Sequence, residues 1–202
     1  MTTSSPAPRF ILASQSPRRL QLLEQIGFVP DAVSPADIDE TERAGELPRD
    51  LAQRLATEKA AKVAADYPGD VVLAADTVVA VGRRILPKTE TVAEAARCLD
   101  LLSGRAHRVF TGVCCLGPDD TARVRVVETR VKVKVLSGEE RAAYLASGEW
   151  AGKAGGYGIQ GGFSAFIVQI TGSYSAVVGL PLFETANLLT AALQRPITFK
   201  GP

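Results

Sequence analysis

The chain has 202 residues, 46% of them apolar and 22% charged, with a formal net charge of +1. That is enough for one substantial domain, and it excludes bulk electrostatic binding to nucleic acid or to an anionic membrane surface. No apolar stretch reaches membrane-spanning length. The three cysteines, Cys98, Cys114 and Cys115, are too few and too odd for a disulfide framework and fit a reducing cytoplasm, while the single histidine, His107, leaves little for a His/Cys metal site. A metal, if bound, is expected to be a hard cation held by oxygens.

The polar stretch 1–9 reads as a disordered leader, followed by one domain over 10–195, with two lobes around a cleft, and a tail over 196–202. Phe10–Ala13 reads as a short buried strand. Ser14-Gln15-Ser16-Pro17-Arg18-Arg19 follows, with Ser16 as helix N-cap and Pro17 at the first helical position. Leu20, Leu22, Leu23 and Ile26 continue that helix to Gly27. Two arginines at a helix N-terminus oppose the macrodipole. They are either a solvated pair or part of an anion site in which free N–H groups, hydroxyls and guanidiniums converge on phosphate.

Phe28–Val33 reads as a second strand, and the acidic stretch 34–47, with Asp37, Asp39, Glu40 and Glu42, as a surface loop. A long helix over 48–67 follows. At 100° per residue Leu51, Ala52, Leu55, Ala56 and Val63 share one face, and Lys59 falls in the middle of it. A lysine there either reaches past the helix into a polar pocket or marks where packing stops.

Val71–Val81 is an apolar strand run with Asp76 near its middle. A lone carboxylate in such a run is costly unless a metal, a cation or several donors meet it. Asp76 either caps a bend where the strand stops, or lies at a strand end facing a cleft as base or metal ligand. A hairpin at Gly82-Arg83-Arg84 returns Ile85-Leu86 and brings Lys88 back toward Asp76. Thr91 and Glu94 form a capping box for a helix with Val92, Ala95, Ala96, Leu99 and Leu102 on one face.

Ala106–Leu116 reads as a strand whose Cys114 and Cys115 pack on opposite faces. After a turn at Gly117-Pro118-Asp119-Asp120 comes an alternating strand over Ala122–Leu136, interrupted at Glu128-Thr129. Its basic residues have no interleaved aromatics, so they read as a solvated sheet face. Ser137 caps a further helix through Tyr144 and Leu145. Between Gly152 and Gly162 six of eleven residues are glycine, too many for a helix or strand. The loop has no phosphate-loop or dinucleotide signature. It is either a linker or a wrap around a flat base, with the Gln160 amide available to a base edge. Phe163–Ile170 reads as a strand, and Leu182, Ala186, Leu189 and Leu193 mark a final helix. Strands and helices alternate and then strands cluster, which gives an α/β fold with a mixed sheet.

These residues resemble the Maf family of nucleotide pyrophosphatases, from about Ile11 to Leu193. The resemblance rests on Leu12-Ala13-Ser14 with Ser16-Pro17-Arg18-Arg19, Glu58-Lys59-Ala60, Ala75-Asp76-Thr77, Lys88, His107 to Gly112, and Lys153 through Gly161. It implies an elongated mixed β-sheet with flanking helices and a central cleft, similar to inosine triphosphate pyrophosphatases. It implies hydrolysis of a nucleoside triphosphate to monophosphate and pyrophosphate with a divalent cation, Mg²⁺ or Mn²⁺. By resemblance Asp76 is the catalytic base, and Arg18, Thr77 and Gln160 set base preference. The Gln160 form of the loop is similar to the branch acting on dTTP and UTP. Thr89 departs from many relatives, which carry proline there.

The expected roles follow. Ser14, Arg18, Arg19, Lys59 and Lys88 hold the triphosphate, Thr77 and Gln160 meet the nucleotide, and Asp76 with Glu40 binds the metal. Homodimerisation is implied by resemblance only. The competing reading is a nucleotide-binding regulator of cell division with little turnover. A small-molecule kinase is disfavoured because its phosphate loop is missing.

Overall fold

The computed structural model describes residues 7–199. A seven-stranded mixed sheet carries helices on both faces, as an α/β chain of this pattern should. The strands are β1 Phe10–Leu12, β2 Ala32–Val33, β3 Val71–Val81, β4 Arg84–Leu86, β5 Ala106–Leu116, β6 Ala122–Val133 and β7 Ile167–Thr171. The helices are α1 Pro17–Gln25, α2 Pro48–Ala64, α3 Val92–Leu102, α4 Gly138–Ser147, α5 Tyr174–Val178 and α6 Leu182–Leu193. The spatial order is β2-β1-β3-β5-β6-β7, with β4 also paired to β3. β1 runs parallel to β2 and β3; the pairs from β3 onward are antiparallel.

The central strand β3 has two unequal edges. Along one, β5 pairs continuously from Val72 to Ala80. Along the other, β1 pairs with Val71–Leu73 and β4 with Val79–Val81. Residues 74–78 between them have no strand on that side among the described residues. The sheet is split there, and the split is the floor of the cleft.

Side chains alternate across β3. Val71, Leu73, Ala75 and Val79 join a large core with residues of α1, α3, α4 and α6. On the opposite face α2 packs across β3 and β5. Its apolar face is divided. Ala56, Ala60 and Val63 meet Val72 and Ala74 in one cluster, while Leu51, Ala52 and Leu55 meet Val78 and Ala80 in another. Lys59 and Asp76 stand at the seam. Gly112, directly opposite Asp76 in β5, allows the close approach of α2: a Cβ there would stand 2.2 Å from the Ala52 carbonyl oxygen.

Several expectations need correction. Asp76 is neither a cap at a bend nor at a strand end; β3 continues five residues past it, because β5 supports the whole length. The strand expected over 28–33 shrinks to Ala32–Val33, and α2 stops at Ala64, short of Tyr67. Ser16 precedes α1 but its hydroxyl makes no capping bond. In α3 the capping box forms, yet Val92 is exposed and Cys98 takes its place in the core. β6 runs through Glu128-Thr129 without interruption; the irregularity falls at Lys132/Val133. Phe163–Phe166 lies in a 3-10 turn and β7 begins only at Ile167. Cys114 and Cys115 do pack on opposite faces. Of the expected leader, 1–6 lies outside the described residues, as does 200–202 of the expected tail, whereas Arg9 donates to Asp70 Oδ2 from Nε and Nη2 and to Oδ1 from its amide.

Candidate active site

A cleft of about 720 Å³ opens at the split in the sheet. Each predicted site residue lines it: Ser14, Arg18, Arg19, Glu40, Lys59, Asp76, Thr77, Lys88 and Gln160. These come from separate elements, which is why no single segment of the chain reads as a site.

The α2 side of the cleft holds a chain of charges. Lys59 Nζ donates to Asp76 Oδ1 at 2.6 Å and stands 2.5 Å from Glu40 Oε1. Lys88 pairs with the other Glu40 oxygen. The hairpin therefore brings Lys88 back as expected, but to Glu40 rather than to Asp76. Burial raises the Glu40 carboxyl, but hydrogen bonds from Lys59 and Lys88 outweigh it and hold the group below the ordinary carboxylate value. Asp76 Oδ2 receives no protein hydrogen bond among the described residues, and Asp76 lines the cleft.

Across the cleft, the Ser-rich turn after β1 is internally braced. Ser14 Oγ accepts from the Ser16 amide and from Arg19 Nη1 at 3.0 Å, and Arg19 Nε donates to the Gly179 carbonyl at 2.8 Å. Burial lowers the pKa of the Arg19 guanidinium, and the Asp76 charge acts in the opposite sense. Arg18 donates no hydrogen bond among the described residues, so its guanidinium is available to an anion. Thr77 points to the opposite face of β3 from Asp76, and its Oγ1 lies 3.2 Å from Thr111 Oγ1, whose hydroxyl donates to the Ala176 carbonyl at 2.7 Å.

The glycine-rich stretch forms the third wall. It is no free linker. Gly155 donates to the Pro87 carbonyl, Thr89 to Lys153 and Gly152 to Thr89, so the loop is stitched to the segment carrying Lys88. Thr89 is fully buried and its hydroxyl donates to the Trp150 carbonyl at 2.8 Å. A proline at this position could supply neither that bond nor the amide donation to Lys153. Beneath the loop Tyr157 is buried against Phe163, and its hydroxyl meets His107 Nε2 at 2.7 Å. Burial pushes His107 down to about 4. Gln160 remains exposed at the cleft wall, its amide unbonded among the described residues.

Two lining residues carry chemistry that the sequence reading did not assign: Glu149, which it passed over, and Lys153, which it quoted without a role. Glu149 lies beside Gly161, holds the Gly162 amide, and its own carbonyl accepts from Lys153. Burial, then the Arg18 charge, lowers the pKa of Lys153. Their only available signal was adjacency to the glycines, since an acid in a turn and a lysine in a loop are ordinary.

The donor set bears on a metal. The Glu40 and Asp76 carboxylates converge on one cation, the Lys59 ammonium. Among the described residues no group of three or more His, Cys, Asp or Glu side chains forms a closed metal site. His107 and the cysteines do not line the cleft. Two carboxylates beside a phosphate-sized cleft fit a hard cation that takes the rest of its shell from phosphate oxygens and water.

The family model described as "Maf-like protein" matches residues 9–192. A Maricaulis maris protein named dTTP/UTP pyrophosphatase is 62% identical, covering 98% of this chain and 96% of its own. Proteins of the same name from Caulobacter vibrioides and Mesorhizobium japonicum are 61% and 57% identical, covering 94% and 90% of this chain and 98% and 90% of their own. Among solved structures, the Staphylococcus aureus Ham1 protein is similar at a TM-score of 0.44 and 18% identity, over 61% of this chain and 71% of that one. With a match over nearly its whole length, the chain belongs to the Maf-like protein family.

Proposed function

We propose that this protein is a nucleoside triphosphate pyrophosphatase that hydrolyses dTTP and UTP to the monophosphate and pyrophosphate, a housecleaning role in the nucleotide pool. The observation that carries the reading is the buried Lys59–Asp76 pair with Glu40 at the open edge of β3, facing Arg18 and the glycine-rich wall. The activity named for relatives at about 60% identity supports it.

The triphosphate lies along the cleft, with Ser14, Arg18 and Arg19 on one side and Lys59 and Lys88 on the other. Asp76 orients a water and takes its proton through Oδ2 as the water attacks the α-phosphorus. The Pα–O bond to the β-phosphate breaks, and the cationic residues neutralise charge on the leaving pyrophosphate. Lys59 fixes the Asp76 carboxylate from the side away from the water. Asp76 and Glu40 would hold Mg²⁺ or Mn²⁺, which supplies charge neutralisation at the phosphate oxygens. The Gln160 amide has a donor and an acceptor for the N3–H and O4 edge of uracil or thymine. The same reading takes 10–195 as one two-lobed domain, places the enzyme in the cytoplasm and includes pairing with a second copy.

The test is pyrophosphate release from dTTP, UTP, CTP, GTP, 7-methyl-GTP and modified pyrimidine triphosphates with Mg²⁺ or Mn²⁺, alongside Asp76→Asn. Hydrolysis of dTTP and UTP that falls by about 10²–10⁴-fold in the variant, while nucleotide binding persists, supports the reading. Binding without turnover in the unmodified chain replaces it with a regulatory triphosphate sensor.

A further inference from the structure

We propose that Arg54 is the positioning residue for Glu40, acting through a clasp that fixes the otherwise irregular segment 39–46 on α2. The proposal rests on the reading of Glu40 as a metal ligand and adds what puts it there. Residues 34–47 contain no helix or strand. Yet Glu40 must reach from this segment to Lys59 and Lys88 at once. An irregular segment does not present a carboxylate accurately unless something restrains its backbone on both sides.

Arg54 supplies the restraint. It lies on α2, five residues before Lys59, and its guanidinium engages the segment at two points. Nε and Nη2 form a two-pronged bond to the Glu46 carboxylate at 2.7 and 2.8 Å. Nη2 also donates to the carbonyl of Thr41, the residue after Glu40, at 3.0 Å. Nη1 donates to Glu58 at 3.0 Å, and Glu58 in turn accepts from Arg43 Nη2 at 2.9 Å. Within the segment, the Arg43 amide donates to Glu46 and the Thr41 amide to Asp39. One guanidinium thus ties the segment directly after Glu40 and again at its far end.

Exposed ion pairs of this kind contribute little. Here the Arg54 and Glu46 side chains are only 12% and 9% exposed, and the bonding is bidentate and networked. The planar fork is what the arrangement requires, and a lysine point charge cannot reproduce it. The Arg54 hydrogen bonds hold the Glu46 carboxyl down at about 2, even though burial opposes this. Arg54 itself does not line the cleft, so it acts through Glu40 and not on substrate. Partners that orient a metal ligand from behind typically change metal affinity about 10–100-fold when removed.

The experiment uses the full chain with four variants: Arg54→Gln, Arg54→Lys, Glu40→Gln and Arg54→Gln/Glu40→Gln. Amide hydrogen exchange is followed over 39–46, and Mn²⁺ affinity is measured by electron paramagnetic resonance with an α,β-methylene analogue of UTP. The expected result is faster exchange over 39–46 in both Arg54 variants. Mn²⁺ binding weakens about tenfold or more, and the double variant is no weaker than Glu40→Gln alone. Exchange unchanged in Arg54→Gln overturns the proposal whatever Glu40 does. So does Mn²⁺ affinity unchanged in Arg54→Gln while Glu40→Gln weakens it. Full Mn²⁺ affinity in Glu40→Gln overturns instead the metal reading of Glu40. The clasp then stands if the kcat/KM loss of Arg54→Gln disappears in the Glu40→Gln background, and falls if it persists. Should Arg54→Gln fold poorly, Arg54→Lys keeps the charge and loses only the fork.

Discussion

The ammonium of Lys59 lies 2.6 Å from the carboxylate of Asp76, and the two side chains are 8% and 6% exposed. They sit where the apolar face of α2 divides, so the pair interrupts packing that would otherwise be continuous. Removing one partner of a buried pair typically costs about 3–5 kcal/mol, because the other charge is left uncompensated. The two partners are not equivalent. Without Asp76, Lys59 keeps Glu40; without Lys59, Asp76 has no protein donor among the described residues. Lys59→Met is therefore expected to lower the urea midpoint more than Asp76→Asn, and Lys59→Met/Asp76→Leu to recover most of the loss while remaining inactive. Equal losses from the two single changes would mean that Glu40 does not hold Lys59 in solution.

Gln160 is the exposed position in a stretch whose Tyr157 and Ile159 are buried. Its amide is unbonded among the described residues, so a base would have to fix it. A neutral hydrogen bond contributes about 0.5–1.5 kcal/mol. Gln160→Ala should then lower kcat/KM for UTP and dTTP by about 3–10-fold and lower it less for CTP. The measurement is the ratio between bases. The same loss on every triphosphate would assign Gln160 to loop structure and not to base choice.

Much of the site was legible in the sequence. A lysine in the middle of an apolar helix face and a carboxylate inside an apolar strand run are each improbable alone, and the structure brings them together. The helix caps at Thr91 and Ser137 were legible because a capping box is local chemistry. What stayed hidden depends on tertiary context. β5 carries β3 past Asp76, and nothing in residues 71–81 announces that support. The Phe163 segment has strand composition, but the turn at Ile159-Gln160 and packing against Tyr157 hold it in a 3-10 turn. Arg54 and Glu46 drew no reading from the sequence, because their partnership spans a loop.

Gly112 supports the same seam from the neighbouring strand. A methyl group there would meet the Ala52 backbone carbonyl at 2.2 Å, and no side-chain rotation relieves a clash with backbone. Overpacking of this kind costs about 1–3 kcal/mol. Gly112→Ala should lower stability by that order and also lower turnover, since displacement of α2 carries Lys59 away from Asp76. A variant that loses stability yet keeps full kcat would show that the Lys59–Asp76 contact tolerates a shifted helix.

His107 gives a pH dependence with a defined sign. Its pKa falls from the ordinary 6.5 to about 4 because burial excludes the charged form. Between those values the unfolded chain binds a proton that the folded chain refuses, so stability is lost as pH falls from 6.5 toward 4. The slope from this one group approaches about 1.4 kcal/mol per pH unit. His107→Gln, which can still donate to the Tyr157 hydroxyl, should flatten the stability profile in that window. An unchanged slope would mean that His107 titrates normally.

The parallel pairing of β1 with β3 ties assembly to competence. Arg9 meets Asp70 sixty-one residues further along, and Ala13 donates to the Leu73 carbonyl. A contact of that span must close a long loop before it returns any free energy, so docking β1 carries a larger closure cost than a hairpin such as β3–β4. Ser14, Arg18 and Arg19 follow directly from the end of β1. A chain that has formed its hairpins but not docked β1 carries Asp76 without the corner formed by Ser14, Arg18 and Arg19. On the function proposed above, a triphosphate that binds this assembled cleft stabilises the folded chain by mass action, because the cleft needs β1 in place.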